Sequence, residues 1–466
     1  MNGILSYGVY VPFARLDRKT IAEALGSPAG SGTRAVASYD EDTTSMGVEA
    51  ARVALRSGVP PSAVVFATAG PAYLDKTNAT AIHAALDLAD TAPAYDMAGS
   101  IRSGAGAMWA ALHSSTPTLA VVSDVRTGLA GGADERESGD AAAAFVCGPG
   151  DSEHPRIAEI IGGASLTAEF LERWRLPGEP AASQWEERFG EQVYAPLGES
   201  AIKEALKRAG LPADRIDHLI VAGPHGRATK RVAAAAGVKK EAVADDFGSV
   251  IGNTGTAQAG VLLADALDRA APDRIVCVVS LADGADVSVW RTTGALAERR
   301  PRRTVVEWIK GGRAISYATF LTWRGFLTRE PPRRPDPERP AAPPSFRAER
   351  WKFAFTGSRC DACGARHVPP QRVCVKCQAV DRMTRERLAD VPATIATFTV
   401  DRLAYSMSPP VVAAVIDFDG GGRFQCELTD VEPSTVKIGD RVEMTFRRLF
   451  TARGVHNYFW KARPLR

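Results

Sequence analysis

Apolar runs of strand length alternate with helical patterns through the first 295 residues. AVVFATA (63–69), TLAVVSDV (118–125), AAAAFVCG (141–148), HLIVAGP (218–224) and DRIVCVVSLAD (273–283) are near-continuous apolar stretches, the signature of strands buried on both faces. Between them, SMGVEAARVALRSG and LGESAIKEALKRAG read as helices. The alternation predicts a layered α/β domain. In YDMAGSIRSGAGAMWAAL (95–112), small residues from Ala98 to Gly106 crowd the passage from an apolar run into a helical one. Such a turn lets a chain leave a buried strand sharply and present one side chain at a helix N-terminus, where enzymes place nucleophiles.

The pattern occurs twice. AVVFATAGP resembles HLIVAGP, and DMAGSIRSGAGAMWAAL resembles DFGSVIGNTGTAQAGVLLADAL. TLAVVSDV followed by GDAAAAFVCG resembles RIVCVVSL followed by DGADVSVW. The order is the same in both: strand, glycine-bearing turn with helix, strand, strand. Two copies of one unit are expected, about 1–165 and 190–295, with LTAEFLERWR and SQWEERFGEQVYAPL forming a helical insertion between them.

Residues 296–330 are basic and read as helical, and EPPRRPDPERPAAPPSF (330–346) reads as an extended, semi-rigid linker. Cysteine pairs then appear at 360–377, and ATIATFTV, VVAAVIDFD, RFQCELTD and VEMTFRRL alternate like the strands of a small barrel. The expected domains are 1–295, a basic helix and linker at 296–346, a ribbon at 347–387 and a barrel at 388–466.

Composition changes this picture little. The 466 residues are 45% hydrophobic and 24% charged with a formal net charge of +3, ordinary for a globular protein and uninformative about partners. No apolar run is long enough to span a bilayer, and the opening MNGILSYGVYVPFARLDRK does not read as a secretory signal. Of the seven cysteines, four form a metal-like set, which fits a reducing, cytoplasmic compartment better than a disulfide framework.

CDACGARHVPPQRVCVKC places Cys360, Cys363, Cys374 and Cys377 as two CxxC pairs ten residues apart. Two thiolate pairs close a tetrahedron, which suits zinc. Four sulfurs leave no open position, so the ion is expected to be structural, holding a ribbon too short to build its own core. His367 lies between the pairs and reads as a solvated loop histidine. A ribbon followed by a barrel can bind nucleic acid, and Arg299, Arg300, Arg302 and Arg303 add charge. The barrel region lacks a clear series of aromatics for base stacking, so that arginine run reads as a solvated face or an anchor for phosphates of a small ligand.

Residues 1–295 resemble the thiolase superfamily, in its 3-hydroxy-3-methylglutaryl-CoA synthase branch. YDEDTTSMGVEAAR (39–52), KTNATAIHAAL (76–86), GDAAAAFVCG (139–148), the TAEFLERWR insertion, GPHGRATK (223–230) and IGNTGTA (251–257) carry the likeness. Residues 347–466 resemble the DUF35-type zinc ribbon with OB fold, on GSRCDACGARHVPP and the terminal YFWKARPL. The resemblance implies a duplicated, pseudo-twofold α-β-α-β-α architecture, then a ribbon and an all-β OB barrel. It also implies an acyl-CoA substrate and a homodimer. In that family a cysteine takes the acyl group, a histidine polarises a thioester carbonyl, an asparagine helps hold an oxyanion and a glutamate serves as acid/base. His225 in GPHGR and Asn253 in GNTGT match two of these, and Lys230 lies where the family often has a lysine near CoA.

The departures are informative. Aligning Gly104 with the glycine of the family's Cys-Lys-Ala-Gly puts Ile101 in the cysteine's place, followed by Arg102, a candidate for cofactor binding, and Ser103. A shift of register offers Ser100 or Ser103 as nucleophile. Cys147 and Cys277 fall inside strands and read as core. The glutamate's region, FATAGPAYLDK, offers only Tyr73 and Asp75 as polar candidates. Aldol or retro-aldol chemistry on a 3-hydroxyacyl-CoA fits this set, because it needs an oxyanion hole and a proton carrier but no covalent acyl group. The alternatives are a synthase-like condensing enzyme and a non-catalytic scaffold working with a separate thiolase.

Overall fold

The computed structural model describes residues 2–26, 30–333, 335 and 337–465. They form two compact units: Met1–Ala37, Glu49–Thr80 and Ala89–Tyr317 in one, and Ser38–Val48, Ala81–Leu88 and Ala318–Arg466 in the other.

The first unit is built on β1 (Gly3–Tyr10), β2 (Ala63–Thr68), β3 (Ala94–Ala98), β4 (Thr118–Asp124), β5 (Ala141–Gly148), β6 (Ala158–Thr167), β7 (His218–Ala222), β8 (Ile275–Leu281) and β9 (Gly284–Thr292). Their order is β7-β8-β9-β6-β1-β5-β4-β2-β3. Each apolar run singled out in the sequence is a strand. β5 is buried along its whole length, as expected of a strand covered on both faces.

The duplication is visible in the pairing. β1–β5 and β4–β5 are antiparallel and β2–β4 is parallel; β6–β9 and β8–β9 are antiparallel and β7–β8 is parallel. The halves meet where Gly3 and Ile4 pair with Glu159 and Ala158. They differ at the outer edge. β3 is a full parallel neighbour of β2, whereas its counterpart is a single bridge between Leu219 and Val243. Asp245 accepts from the Phe247 N–H and Asp246 from the Gly248 N–H, local turns that compete with a ladder.

Helices α1 (Ser103–His113) and α4 (Gln258–Arg269) follow the two glycine-bearing turns, while α2 (Glu187–Ala209) and α3 (Gly226–Ala235) lie between β6 and β8 in sequence. Gly104 lets α1 approach the second turn closely: a Cβ there would come within 2.6 Å of the Thr256 carbonyl oxygen. Cys147 and Cys277 are buried core residues, as expected.

Three expectations are corrected. LTAEFLERWR is not helical: it finishes β6 and supplies the strand Arg173–Trp174, which pairs with Ser183–Gln184. Tertiary pairing overrides its helical pattern, and only the second insertion segment enters a helix. Residues 296–330 form short pieces, including helices Val305–Lys310 and Tyr317–Trp323, rather than one helix. Their arginines serve the protein: Arg300 donates to the carbonyls of Leu267 and Ala270 at the end of α4, and Arg303 stacks 3.8 Å from the Trp308 ring centre. The proline-rich segment is not extended throughout. Ala342–Arg347 is a helix with Pro343 and Pro344 in its first turn, where a missing N–H costs nothing. Positions 334 and 336 of that segment lie outside the described residues.

In the second unit, Thr356–Cys360 pairs with Arg366–His367 and Met383–Arg387. Strands β10 (Ala393–Asp401), β11 (Val411–Phe418), β12 (Arg423–Leu428), β13 (Arg441–Ala452) and β14 (Val455–Pro464) close a barrel in the order β10-β11-β12-β14-β13. Phe355 is fully buried among Trp351, Phe418, Phe424, Phe459 and Trp460.

The barrel also buries charge. Arg447 and Asp40 have no exposed surface. Arg447 pairs with Glu41 at 2.5 Å and Asp430 at 2.9 Å. Lys461 pairs with Asp40 at 2.9 Å and Glu427 at 2.8 Å, and the Tyr458 hydroxyl donates to Asp42 at 2.7 Å. Burial alone would raise the Asp40 carboxyl, but Lys461 and Arg447 outweigh it and hold it at about 2. Removing one partner of such a set strands the others in a dry interior, at roughly 3–5 kcal/mol. Arg447→Ala is expected to lower the unfolding free energy of this unit by that order, read by denaturant titration. Because the folded carboxyl is depressed, Asp40 stabilises the fold above its ordinary range near 4, and this contribution fades as pH falls toward 2. An acid titration of unfolding in Asp40→Asn should lack that component.

Candidate active site

The strand ends of the first unit converge on one carboxylate. Asp124, at the end of β4, is 1% exposed. Its Oδ1 accepts from Thr68 Oγ1 at 3.0 Å and the Ala69 N–H at 2.8 Å, beyond β2. Its Oδ2 accepts from the N–H and Oγ1 of Thr256, both at 2.8 Å, in the second copy's turn. Gly255, at φ 59°, permits the approach: a Cβ there would lie 2.4 Å from Asp124 Oδ2.

Beside this knot is a cavity of about 100 Å³ lined by Ser100, Ile101, Asp124, Arg126, Arg173 and Tyr194, among others. Strand carboxyl ends are where α/β sheets gather ligands. The turn after β3 opens it: Gly99 sits at φ 112°, and Ser100 and Ile101 precede α1.

The structure separates the sequence candidates. Ser100 reaches the cavity, with its Oγ accepting from the Arg102 N–H at 3.1 Å. Ser103 is the first residue of α1 and lies outside the lining. Among the described residues, no imidazole or carboxylate hydrogen-bonds either hydroxyl. Arg102, expected at a cofactor, is turned into protein: it donates to Asp286 at 2.9 Å, the Asp283 carbonyl at 2.6 Å and the Leu166 carbonyl at 3.1 Å. Tyr73 is half-buried and Asp75 exposed, on the loop after β2, and neither lines the cavity. Lys230 is exposed on α3.

His225 caps α3 and is 6% exposed. Its Nδ1 accepts from the Ala228 N–H at 3.1 Å and its Nε2 donates to the Glu187 carbonyl at 2.7 Å. These bonds assign a neutral ring with its proton on Nε2. A thioester oxygen would have to replace the Glu187 carbonyl as acceptor. Asn253 donates from Nδ2 to the Gly223 carbonyl at 2.7 Å and accepts from the Gly255 N–H at 2.9 Å. It thus ties the second turn to the strand end that carries His225.

Several groups here escaped the sequence reading. Glu172 is 4% exposed, and its Oε2 has no hydrogen-bond partner among the described residues. Burial raises its carboxyl, with His225 and Arg173 opposing. Arg126 is half-buried and its Nε is likewise unpartnered. Burial and the neighbouring Arg173 pull its guanidinium below the usual arginine range. Arg173 pairs with Asp134, and Arg175 donates to the Ala69 carbonyl at 2.6 Å. Two of these arginines lie on a segment whose pattern points to a helix, and one follows β4 with no motif around it.

The four cysteines of the second unit come together, with their sulfurs all within 4.8 Å. Cys360 and Cys377 are 3.6 Å apart, as are Cys363 and Cys374. Sulfurs bound at about 2.3 Å around a tetrahedral ion lie ~3.8 Å apart, so the set fits such an ion. The Cys377 N–H leads the contacts that draw the Cys374 thiol down to about 5. His367 is not a solvated loop residue: it is 6% exposed in a short strand and hydrogen-bonds Cys374.

A duplicated sheet with a cavity at the turn after β3, closed on the second half's side by Pro224, Ala282 and Asp283, defines a thiolase-superfamily fold. The solved structure "MvaS in complex with 3-hydroxy-3-methylglutaryl coenzyme A" superimposes with a TM-score of 0.57 at 20% identity, covering 72% of this chain and 94% of that one. The 3-oxoacyl-[acyl-carrier-protein] synthase III of Aquifex aeolicus does so at 0.55 and 18%, over 62% and 100%. The hydroxymethylglutaryl-CoA synthase of Aeropyrum pernix is 31% identical over 344 residues, 70% of this chain and 94% of that protein. The chain belongs to the hydroxymethylglutaryl-CoA synthase family, among the condensing enzymes of the superfamily. Residues 353–383 match the family model of the ChsH2 rubredoxin-like zinc ribbon domain, and 386–447 that of the ChsH2 C-terminal OB-fold domain. No helix among the described residues is long and apolar enough to cross a membrane.

Metal analysis of the purified chain is expected to give one zinc per chain, and Cys363→Ser to bring that ratio near zero with loss of the ribbon's thermal stability. A chain with all four thiols reduced and no metal contradicts this.

Proposed function

We propose that this chain is an acyl-CoA condensing enzyme that forms or breaks a carbon–carbon bond through a thioester enolate, without an acyl-enzyme. Ile101 carries the reading: it lines the cavity at the turn before α1, where the family's cysteine belongs, and an aliphatic side chain cannot accept an acyl group. Among the described residues no base hydrogen-bonds the two nearby serines to activate them. The synthase relatives support the bond-forming direction. The cleaving direction, on a 3-hydroxyacyl-CoA, follows from the same parts. A base takes the 3-hydroxyl proton, the C2–C3 bond breaks, the carbonyl fragment leaves and the enolate is protonated at C2.

In this reading Asn253 and His225 hold the enolate oxygen. Glu172 supplies the proton carrier, supported by its burial beside His225 and the rise that burial gives its carboxyl, although, like Tyr73 and Asp75, it does not itself line the cavity. Coenzyme A enters as substrate thioester, zinc has a structural role only, and the chain works as a homodimer.

The test is intact-protein mass spectrometry after incubation with acetyl-CoA and a panel of 3-hydroxyacyl-CoAs, alongside product analysis. No covalent mass increase is expected, with turnover that Asn253→Ala or His225→Ala lowers by about 10²–10³. A stable acyl adduct on Ser100 or Ser103 overturns the proposal. Turnover seen only with an added thiolase makes the chain a scaffold instead.

A further inference from the structure

We infer that Arg126 is a further catalytic residue, a cationic donor to the thioester oxygen that holds the charge gathering there as the enolate forms. This rests on the acyl-CoA reading above and adds Arg126 to Asn253 and His225.

Arg126 follows β4 and lines the cavity with Ser100 and Ile101. Its backbone is held from two sides. The N–H donates to Asp140 Oδ1 at 2.8 Å, and the carbonyl accepts from Arg34 Nη2 at 2.8 Å. Asp140 and Arg34 have no exposed surface, so the clamp is rigid. The side chain then passes close over the second copy's turn. A Cβ on Gly255 would lie 2.8 Å from Arg126 Cδ and 3.3 Å from its Nε, and the Gly255 N–H is the donor to Asn253 Oδ1. Arg126 thus borders the turn of Asn253 and shares the cavity with the turn of Ile101.

Its donors are uncommitted. Among the described residues the guanidinium makes no hydrogen bond or ion pair, and Nε is shielded from water with no acceptor. The other donors nearby are engaged. Asn253 Nδ2 donates to the Gly223 carbonyl and His225 Nε2 to the Glu187 carbonyl, each at 2.7 Å. Arg173 pairs with Asp134, and Arg175 donates to the Ala69 carbonyl. A shielded cation without an acceptor is unfavourable. A neutral thioester relieves that little, and an enolate oxygen relieves it fully. Stronger binding of the charged species than of the ground state is what lowers a barrier. As the base takes the C2 proton, the C–H pair becomes the C1–C2 double bond and the carbonyl π pair moves onto oxygen. The reverse flow returns a proton to C2, and Arg126 keeps its own protons throughout.

The test measures deuterium uptake at C2 of saturating butyryl-CoA in heavy water, beside its dissociation constant by calorimetry, on the full chain. Arg126→Gln is expected to slow uptake by about 10²–10³, while binding changes by less than about threefold. Arg126→Met, which keeps the length of the stem without the charge, is expected to match it, so a folding defect in one variant leaves the other to report. Arg126→Lys, which keeps the charge without the fork, should fall between these and the unaltered chain. Uptake unchanged in Arg126→Gln, or a loss that appears only as weaker binding, overturns the inference and leaves the acyl-CoA reading standing. An Arg126→Lys chain no faster than Arg126→Gln takes charge out of the account and overturns it as well. Failure of the unaltered chain to bind or exchange the thioester overturns both.

Discussion

Both carboxylate oxygens of Asp124 are taken, one by each half of the duplicated unit. Oδ1 gathers Thr68 and Ala69 from the first copy, and Oδ2 gathers Thr256 from the second. A buried carboxylate with four donors is a strong, directional joint, each bond to a charged acceptor being worth roughly 1.5–3 kcal/mol. It helps fix the spacing of the two turns, together with the bond from the Gly139 N–H to the Asn253 carbonyl and the contacts of Arg102 with Asp283 and Asp286. Four residues of the candidate site hang from those turns: Ile101 and Ser100 on one, Asn253 and, through the Gly223 carbonyl, His225 on the other. Gly255 and Gly104 are the residues that let the joint close.

The arginine-bearing hairpin 173–184 and Arg126 bring positive charge to the cavity, and Ile101 brings an apolar surface to the helix entrance. In the proposed reaction an apolar residue there takes no acyl group, and Asn253 and His225 remain to stabilise the anion. The two copies have also diverged: the first keeps the β3 edge strand and the cavity-facing turn, while the second trades its edge strand for aspartate-capped loops.

Much of the fold was legible because buried strands and a repeated order leave strong traces. The AAAAFVCG and DRIVCVVSLAD runs sit in sheet positions that admit little else, and the two CxxC pairs meet at the distances a tetrahedral ion needs. The insertion was misread because LTAEFLERWR has helix-like spacing, yet Glu172 and Arg173 make pairings that only the folded chain supplies. For the same reason Arg126, Arg173 and Glu172 carried no signal: lone charged residues far apart in sequence become a site through topology. His367 looked solvated because its contact with Cys374 depends on the ribbon closing. Segment 38–48 was read as part of the first domain, whereas its acidic residues answer Arg447 and Lys461 some 400 positions later.

The most direct test of an enolate formed without an acyl-enzyme is solvent exchange at the α-carbon of a bound acyl-CoA. Butyryl-CoA incubated with the chain in heavy water should gain deuterium at C2 over many turnovers, while the denatured protein keeps its unmodified mass. A thioester that binds but gains no deuterium, or that exchanges only after its acyl group has moved onto the protein, would contradict the noncovalent enolate.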